Sequence, residues 1–315
     1  MGVDMGVLID QMIQFATIVV LGFIIYKLKI TNDNMVDNAS SLSIKYCFPL
    51  LLFTTIVSGA TRQQMLTMVP FAIGVIICEV FALASAAVTG KLLRLKGSTY
   101  YMHIGCGAYG NTGFVGLPVA IALFPETGAI AVAIYMFIDF IFMYSMTPIL
   151  CDAHNGTGKT GFSPRKAVNT ITLAAIAGFI CVLIGLRPIN NPVWTAVEGI
   201  GSASKYIMLT YLGADIARKG FGSILKNKKV FITEALKAAI IPLAAFMLIG
   251  AFGLFTYEQS MIVLTMMLSP TMTAIAFMSR ESGSDENYAV ASIVIGHIAC
   301  VFTVPLCVWI ANLMI

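Results

Sequence analysis

Runs of about twenty mostly apolar residues recur along this chain, parted by short polar breaks, and this pattern constrains the fold more than any other feature. A bilayer-crossing helix needs ~20 such residues. Cutting the chain at its polar breaks predicts ten spans, at 6–28, 36–59, 68–93, 101–124, 126–150, 165–187, 193–216, 230–253, 258–279 and 287–313. Ten helices fill most of the 315 residues and leave no room for a separate soluble domain. The chain is 58% hydrophobic and 11% charged, whereas a soluble domain carries roughly 25% charged residues. Its mean hydropathy is +0.90. A soluble fold of this length could not hide so much apolar surface. A soluble enzyme, a disordered chain and a nucleic-acid-binding module are therefore excluded, and the lipid bilayer is the expected surroundings. The first apolar run is read as a retained span. Gly2–Asp10 carries no positive residue, the run is long, and no small-residue cleavage site follows it. Seven cysteines are scattered singly without metal-like spacing. They read as small buried apolar residues, and neither a metal site nor a cofactor is expected.

Loop charge sets the orientation, because cytoplasmic loops hold the excess of Lys and Arg. Loops after odd-numbered spans hold fourteen of these residues, among them Lys27, Lys91, Arg94, Lys159, Arg218, Lys229 and Arg280. Loops after even-numbered spans, with both termini, hold only Arg62 and Arg187. The expectation is a multi-pass protein of the cell (inner) membrane with both termini outside.

Five spans lie on either side of a central Gly- and Thr-rich linker. The expected organisation is a first five-helix repeat at 1–150, a cytoplasmic linker at 151–164, and a second repeat at 165–315. An odd number of spans per half forces the two halves to be inverted. Weak echoes support this: Lys45-Tyr46 and Lys205-Tyr206 at an offset of 160, Asp139 and His297 at 158, and Pro148 and Pro305 at 157. Paired interrupted helices in inverted halves are the sequence pointer to a transporter site near the midplane.

Span four reads Gly105-Cys-Gly-Ala-Tyr-Gly110-Asn111-Thr112-Gly113-Phe-Val-Gly116-Leu-Pro118. Its GxGxxG, with Glu126 further on, fails as a dinucleotide fingerprint because no strand precedes it. Gly158-Lys159-Thr160 lacks the first glycine of a phosphate loop, and the sequon at Asn155 falls on the cytoplasmic side. The glycines could serve close helix packing. The favoured reading is a discontinuous helix, with Pro118 removing a donor and Gly113 and Gly116 letting the chain unwind. Exposed backbone at membrane depth is tolerated where it lines a cavity or is buried in protein. Asn111 and Thr112 add donors beside the break. Span nine offers Ser269-Pro270-Thr271-Met272-Thr273, similarly polar around a proline. Two half-helix N-termini, each with free N–H groups and partial positive charge, then suit an anion such as a carboxylate.

Ionisable groups inside a span are functional hypotheses by default. Asp139 and His297 either carry a proton, with His titrating near physiological pH, or form a structural hydrogen-bonded pair. Glu79 is a further candidate proton or cation site. Lys45 and Lys205 either attract substrate or snorkel to an interface. His103 reads as interfacial and structural. No catalytic triad, HExxH or paired catalytic carboxylates occur in the spans, so the chain is not read as an enzyme.

The run Gly110–Pro118, with Leu268-Ser269-Pro270 and Asp285-Glu286-Asn287-Tyr288-Ala289, resembles the auxin efflux carrier family in its short prokaryotic form, often called malate or malonate permeases. The resemblance covers the whole chain. It implies a fold shared with bile-acid symporters and sodium/proton antiporters. Spans one, two, six and seven would form a scaffold, and spans three to five and eight to ten a moving domain. Elevator-type alternating access and homodimerisation are typical of such relatives. Plant members carry a long hydrophilic central loop and an Asn-Pro-Asn type crossover. Here the centre is short and the crossover reads Gly110-Asn111-Thr112 and Ser269-Pro270-Thr271, which favours a small carboxylate over auxin.

The function expected is secondary transport of a small organic anion, a mono- or dicarboxylate, coupled to H+ or Na+. Asn111, Thr112, Gly113, Pro118, Ser269, Pro270 and Thr271 would build the site. The alternative is a cation/proton antiporter of the same fold, which needs a carboxylate cluster at the crossing. Single cysteines placed in the 223–229 loop should react with an impermeant thiol reagent only from the cytoplasm, and one at Ile315 only from outside. Opposite labelling of both would overturn the charge argument.

Overall fold

The apolar runs become helices. In the computed structural model, which describes residues 3–59, 61–125, 128–153, 170–186, 191–220 and 228–314, these are α1 (Met5–Lys27), α2 (Asp33–Gly59), α3 (Arg62–Thr67), α4 (Val69–Leu92), α5 (Gly97–Ala108), α6 (Thr112–Leu123), α7 (Gly128–Asp152), α8 (Thr170–Leu183), α9 (Pro192–Lys219), α10 (Lys228–Phe252), α11 (Tyr257–Met267), α12 (Ala274–Ser282) and α13 (Glu286–Met314). Glu126, Asn155, Lys159, Arg187, Ile315, residues 223–227 and the expected linker beyond 153 lie outside the described residues. Six helices, α1, α2, α4, α7, α10 and α13, are long and apolar enough to cross a membrane. The other four expected spans fall on α8, on α9, and on two pairs of shorter helices, α5 with α6 and α11 with α12.

Local chemistry fixes the helix starts. Asp4 accepts from the Gly6 N–H at 2.8 Å to cap α1, and Asn191 accepts from the Trp194 N–H at 2.8 Å to cap α9. Thr61 with Gln64, and Thr256 with Gln259, form reciprocal capping boxes for α3 and α11. Three helices contain one widened, i→i+5 turn, at Ser43–Cys47, Thr112–Gly116 and Leu236–Ile240. Each is followed two residues later by a proline: Pro49, Pro118 and Pro242. Proline has no N–H to give and its ring crowds the carbonyl four residues back. A widened turn accommodates that loss without ending the helix.

The helices pack in two sets. In one, α9 lies along α1 and α2, and α8 packs on the second half of α2. In the other, α4, α5 and α7 pack together, α10 contacts α11 and α13, and α12 lies between α7 and α13. Large exposed apolar side chains such as Ile13, Ile73, Ile180, Phe252 and Phe302 face outward from α1, α4, α8, α10 and α13. Glu79, Asp139, Glu234, Lys237, His103 and His297 are buried inside. An apolar exterior around ionisable groups is what a lipid-facing bundle requires.

Without a hydrophobic drive between helices in lipid, close backbone approach supplies the packing energy. A Cβ at Gly22 of α1 would fall 2.1 Å from the Thr210 carbonyl oxygen of α9, and one at Gly213 would fall 1.9 Å from the Val19 carbonyl oxygen. Either methyl group would push the two backbones apart. Gly213→Ala should therefore cost about 1–3 kcal/mol, the range for overpacking, and thermal unfolding in detergent should show a lowered Tm. An unchanged Tm would mean that the α1–α9 contact is dispensable.

Candidate functional site

Two interrupted helices meet at one point. The first is α5 and α6, parted at Tyr109–Asn111; the second is α11 and α12, parted at Leu268–Thr273. The Asn111 N–H donates to the Pro270 carbonyl at 2.6 Å, and the Met272 N–H donates to the Tyr109 carbonyl at 3.2 Å. Gly110 and Thr271 thus face each other in an isolated antiparallel bridge. The approach is close: a Cβ on Gly110 would lie 3.1 Å from Ser269 and 3.3 Å from the Lys237 Nζ, and one on Gly116 would lie 2.7 Å from the Ser269 hydroxyl. The break itself lies upstream of Pro118, which corrects the sequence reading. Pro118, Gly113 and Gly116 sit inside α6, where Pro118 widens the first turn and the two glycines admit neighbours. Gly113 packs against the Phe48 ring.

Side chains secure both breaks. Thr112 Oγ1 donates to Asp139 Oδ2 of α7 at 2.6 Å. His297 Nδ1 is 2.6 Å from the Ile293 carbonyl, which can only accept, so Nδ1 carries the proton. The Asn111 side-chain amide then donates to Nε2 at 3.1 Å. His297 is held neutral by this arrangement and stacks on Phe15 of α1 at 5.8 Å. Asp139 and His297 therefore do not pair with each other; each holds one of two adjacent residues at the start of α6. Ser269 and Thr271 are buried in the second break. Thr271 Oγ1 lies 2.9 Å from the Cys106 carbonyl and 3.0 Å from Glu234 Oε1.

Two further ionisable groups which the sequence reading passed over, Lys237 and Glu234 of α10, stand at the crossing. Lys237 of α10 is 3% exposed. Its Nζ donates to the Met267 carbonyl at 2.9 Å and to the Ala108 carbonyl at 3.4 Å. These carbonyls end α11 and α5, where partial negative charge collects. The same ammonium is in electrostatic reach of Glu79, Asp139 and Glu234. Glu79, on α4, interacts with Tyr135 and Asp139, and its Oε2 is buried without a hydrogen-bond partner. A sequence signal for Lys237 existed: it follows Glu79 by 158 residues, the offset that relates Asp139 to His297.

His103 is 1% exposed. Its ring nitrogens meet Thr89 at 3.0 Å on α4, and Thr233 at 2.8 Å and Tyr288 at 3.1 Å on α10 and α13. Those partners suit a structural tie between helices. Lys45 is exposed and lines a cavity of about 370 Å³ between α2, α7, α9, α12 and α13 that reaches Thr273 and Ala274 at the start of α12. Lys205 lies outside that lining, with its Nζ 5.6 Å from the centre of the Tyr206 ring.

Replacing Lys237 by Met would leave the Ala108 and Met267 carbonyls without their donor and three acids without a cation. Removing one partner from a buried ionic set costs ~3–5 kcal/mol. A sharp fall in the Tm of purified Lys237→Met is expected, and a wild-type Tm would remove Lys237 from this structural role.

A profile of the family described as "Membrane transport protein" matches residues 7–168. An uncharacterized transporter of Methanocaldococcus jannaschii is 23% identical over 67% of this chain and 69% of its own. A protein of Rhizobium meliloti named "Putative malonate transporter" is 23% identical over 63% of this chain and 63% of its own. The chain is thus a multi-pass membrane protein of the transporter class rather than an enzyme, and it belongs to the membrane transport protein family that includes the auxin efflux carriers.

Proposed function

We propose that this protein is a secondary active transporter of a small organic anion, a mono- or dicarboxylate such as malonate or malate, working in the cell membrane with both termini outside. The observation that carries the reading is the crossing itself. Two half-helices start there, α6 at Thr112 and α12 at Ala274, and a helix start carries partial positive charge. Such ends attract an anion. Asn111, Thr112, Gly113, Pro118, Ser269, Pro270 and Thr271 build this region. A cavity beside the α12 start has Lys45 and Arg280 on its wall together with Asp37, Asp215 and Glu281, and is the proposed way in. The relative named for malonate fits the same substrate class.

The ten spans are read as two inverted five-helix repeats, at 1–150 and 165–315. The set containing α1, α2, α8 and α9 would be the scaffold, and the other would carry the crossing past it in an elevator motion, as a homodimer. Lys237 bears on coupling. A half-helix C-terminus is where a transporter of this design holds a coupling cation, and here an ammonium already occupies both such ends. Coupling is therefore to protons, with Asp139, His297 and Glu79 as candidate groups, rather than to sodium. The acids grouped around Lys237 also favour a second reading, a cation/proton antiporter of the same fold.

Uptake of radiolabelled malonate, malate, succinate and indole-acetate into proteoliposomes separates these readings. A small dicarboxylate should enter under an inward proton gradient and be indifferent to sodium. Sodium-driven uptake would remove the argument from Lys237, and cation–proton exchange without carboxylate uptake would favour the antiporter. Asn111→Ala should weaken carboxylate binding by about 1.5–3 kcal/mol, as for hydrogen bonds to charged groups. That is roughly a ten- to hundredfold rise in Kd. Wild-type affinity together with a lowered Tm would assign Asn111 to packing instead.

A further inference from the structure

Glu234 has no part in the anion site described above, yet it touches the crossing directly. It lies one helical turn before Lys237 on α10 and is 2% exposed. Its Oε1 is 3.0 Å from the hydroxyl of Thr271, the residue that faces Gly110 in the bridge. That hydroxyl is also 2.9 Å from the Cys106 carbonyl. A threonine hydroxyl has one hydrogen to give, and a carbonyl can only accept. If the hydroxyl donates to Cys106, the hydrogen between Thr271 and Glu234 belongs to the carboxyl. The other arrangement shares one hydrogen between both acceptors. It leaves an ionised carboxylate with a fraction of a bond at Oε1 and none at Oε2, which is buried without a partner. A buried charge so poorly satisfied is costly, whereas a neutral carboxyl is not.

The titratable groups that face Glu234 are Lys237 on its own helix, Cys106 on α5, and Tyr288 and Cys300 on α13. Gly296 of α13 closes the pocket so tightly that a Cβ there would fall 2.3 Å from Oε2. Lys237 is the one cation in this group. It already donates to two carbonyls and is shared with Asp139 and Glu79. One positive charge cannot balance three buried negative ones. Glu234, bonded to the Thr271 hydroxyl that the Cys106 carbonyl also claims and set beside the Ser292 hydroxyl, keeps its proton.

We propose that Glu234 is a proton-binding site, whose bound proton is donated to Thr271 and links protonation to the helix crossing. The proposal rests on the secondary-transporter reading and names the group that carries the coupling proton. When the proton leaves to water, Glu234 changes from donor to acceptor. It then competes with Cys106 for the single Thr271 hydrogen, so the tie between the crossing and the end of α5 loosens as the tie to α10 tightens.

Infrared spectroscopy of the purified protein at neutral pH tests this without a substrate. The carbonyl stretch of a protonated carboxyl should be present in wild type and absent in Glu234→Gln. In Thr271→Val the band should persist at higher frequency, because the carboxyl has lost its hydrogen-bond partner; this second variant decides the matter if the first does not fold. In proteoliposomes, Glu234→Gln should lose the stimulation of malonate uptake by an inward proton gradient. Carboxylate bands in place of the carboxyl band would overturn the proposal, and so would gradient stimulation that persists in Glu234→Gln. A wild-type protein that moves no carboxylate would instead sink the substrate reading, while the infrared comparison still decides the state of Glu234.

Discussion

Two backbone hydrogen bonds, Asn111 N–H to Pro270 and Met272 N–H to Tyr109, are what the rest of the structure depends on. Interrupting a helix in hydrocarbon strands N–H and C=O groups that have no water to turn to. Each break here satisfies the other, so neither could persist alone. Pro270 fits the exchange because the pairing asks it for a carbonyl and not for the N–H it lacks. Small residues are needed because the two backbones come within bonding distance, and a side chain at Gly110 would press on Ser269 and Lys237.

That pairing leaves four helix ends in a small volume, and their charges sort the neighbouring side chains. The two ends that terminate in carbonyls, Ala108 and Met267, share the ammonium of Lys237. The start of α6 is held by side chains: Thr112 donates to Asp139, and Asn111 to a His297 whose other nitrogen is tied to Ile293. A cation is thus built in on one side of the crossing, at the ends that terminate in carbonyls, while the opposite side holds the two helix starts with their partial positive charge. The proposed anionic guest rests on that polarity.

Much of this was legible in the residues. The apolar runs located the helices within a few residues, because an apolar stretch of bilayer length has few other uses. Asn111 and Thr112 stood out as polar groups beside glycines, and Ser269 to Thr271 as polar groups around a proline. What composition could not reveal was which residue breaks the helix. Pro118 has the stronger local signal, but a widened turn absorbs it, and the interruption forms at Tyr109–Asn111 where a partner backbone is available. Lys237 and Glu234 were overlooked because two charges scarcely lower the apolarity of a long helix. Their meaning comes from the ends of α5 and α11, which are distant in sequence. His103 read as interfacial and structural, and its three hydroxyl partners come from three other helices, which the sequence alone does not bring together.

The spacing of 158 residues carries one more step. It relates Asp139 to His297 and Glu79 to Lys237, so at both positions an acid in the first half answers to a basic side chain in the second. If the halves descend from one repeat, they have diverged into complementary chemistry at these two positions. Glu234 breaks the pattern, since the residue 158 positions before it is Ile76, an exposed side chain on the apolar face of α4. An acid without a counterpart in the other half is a third acidic group around the single ammonium of Lys237. The proton proposed on Glu234 balances it in place, and in the proposed elevator a proton, unlike a side chain, can leave.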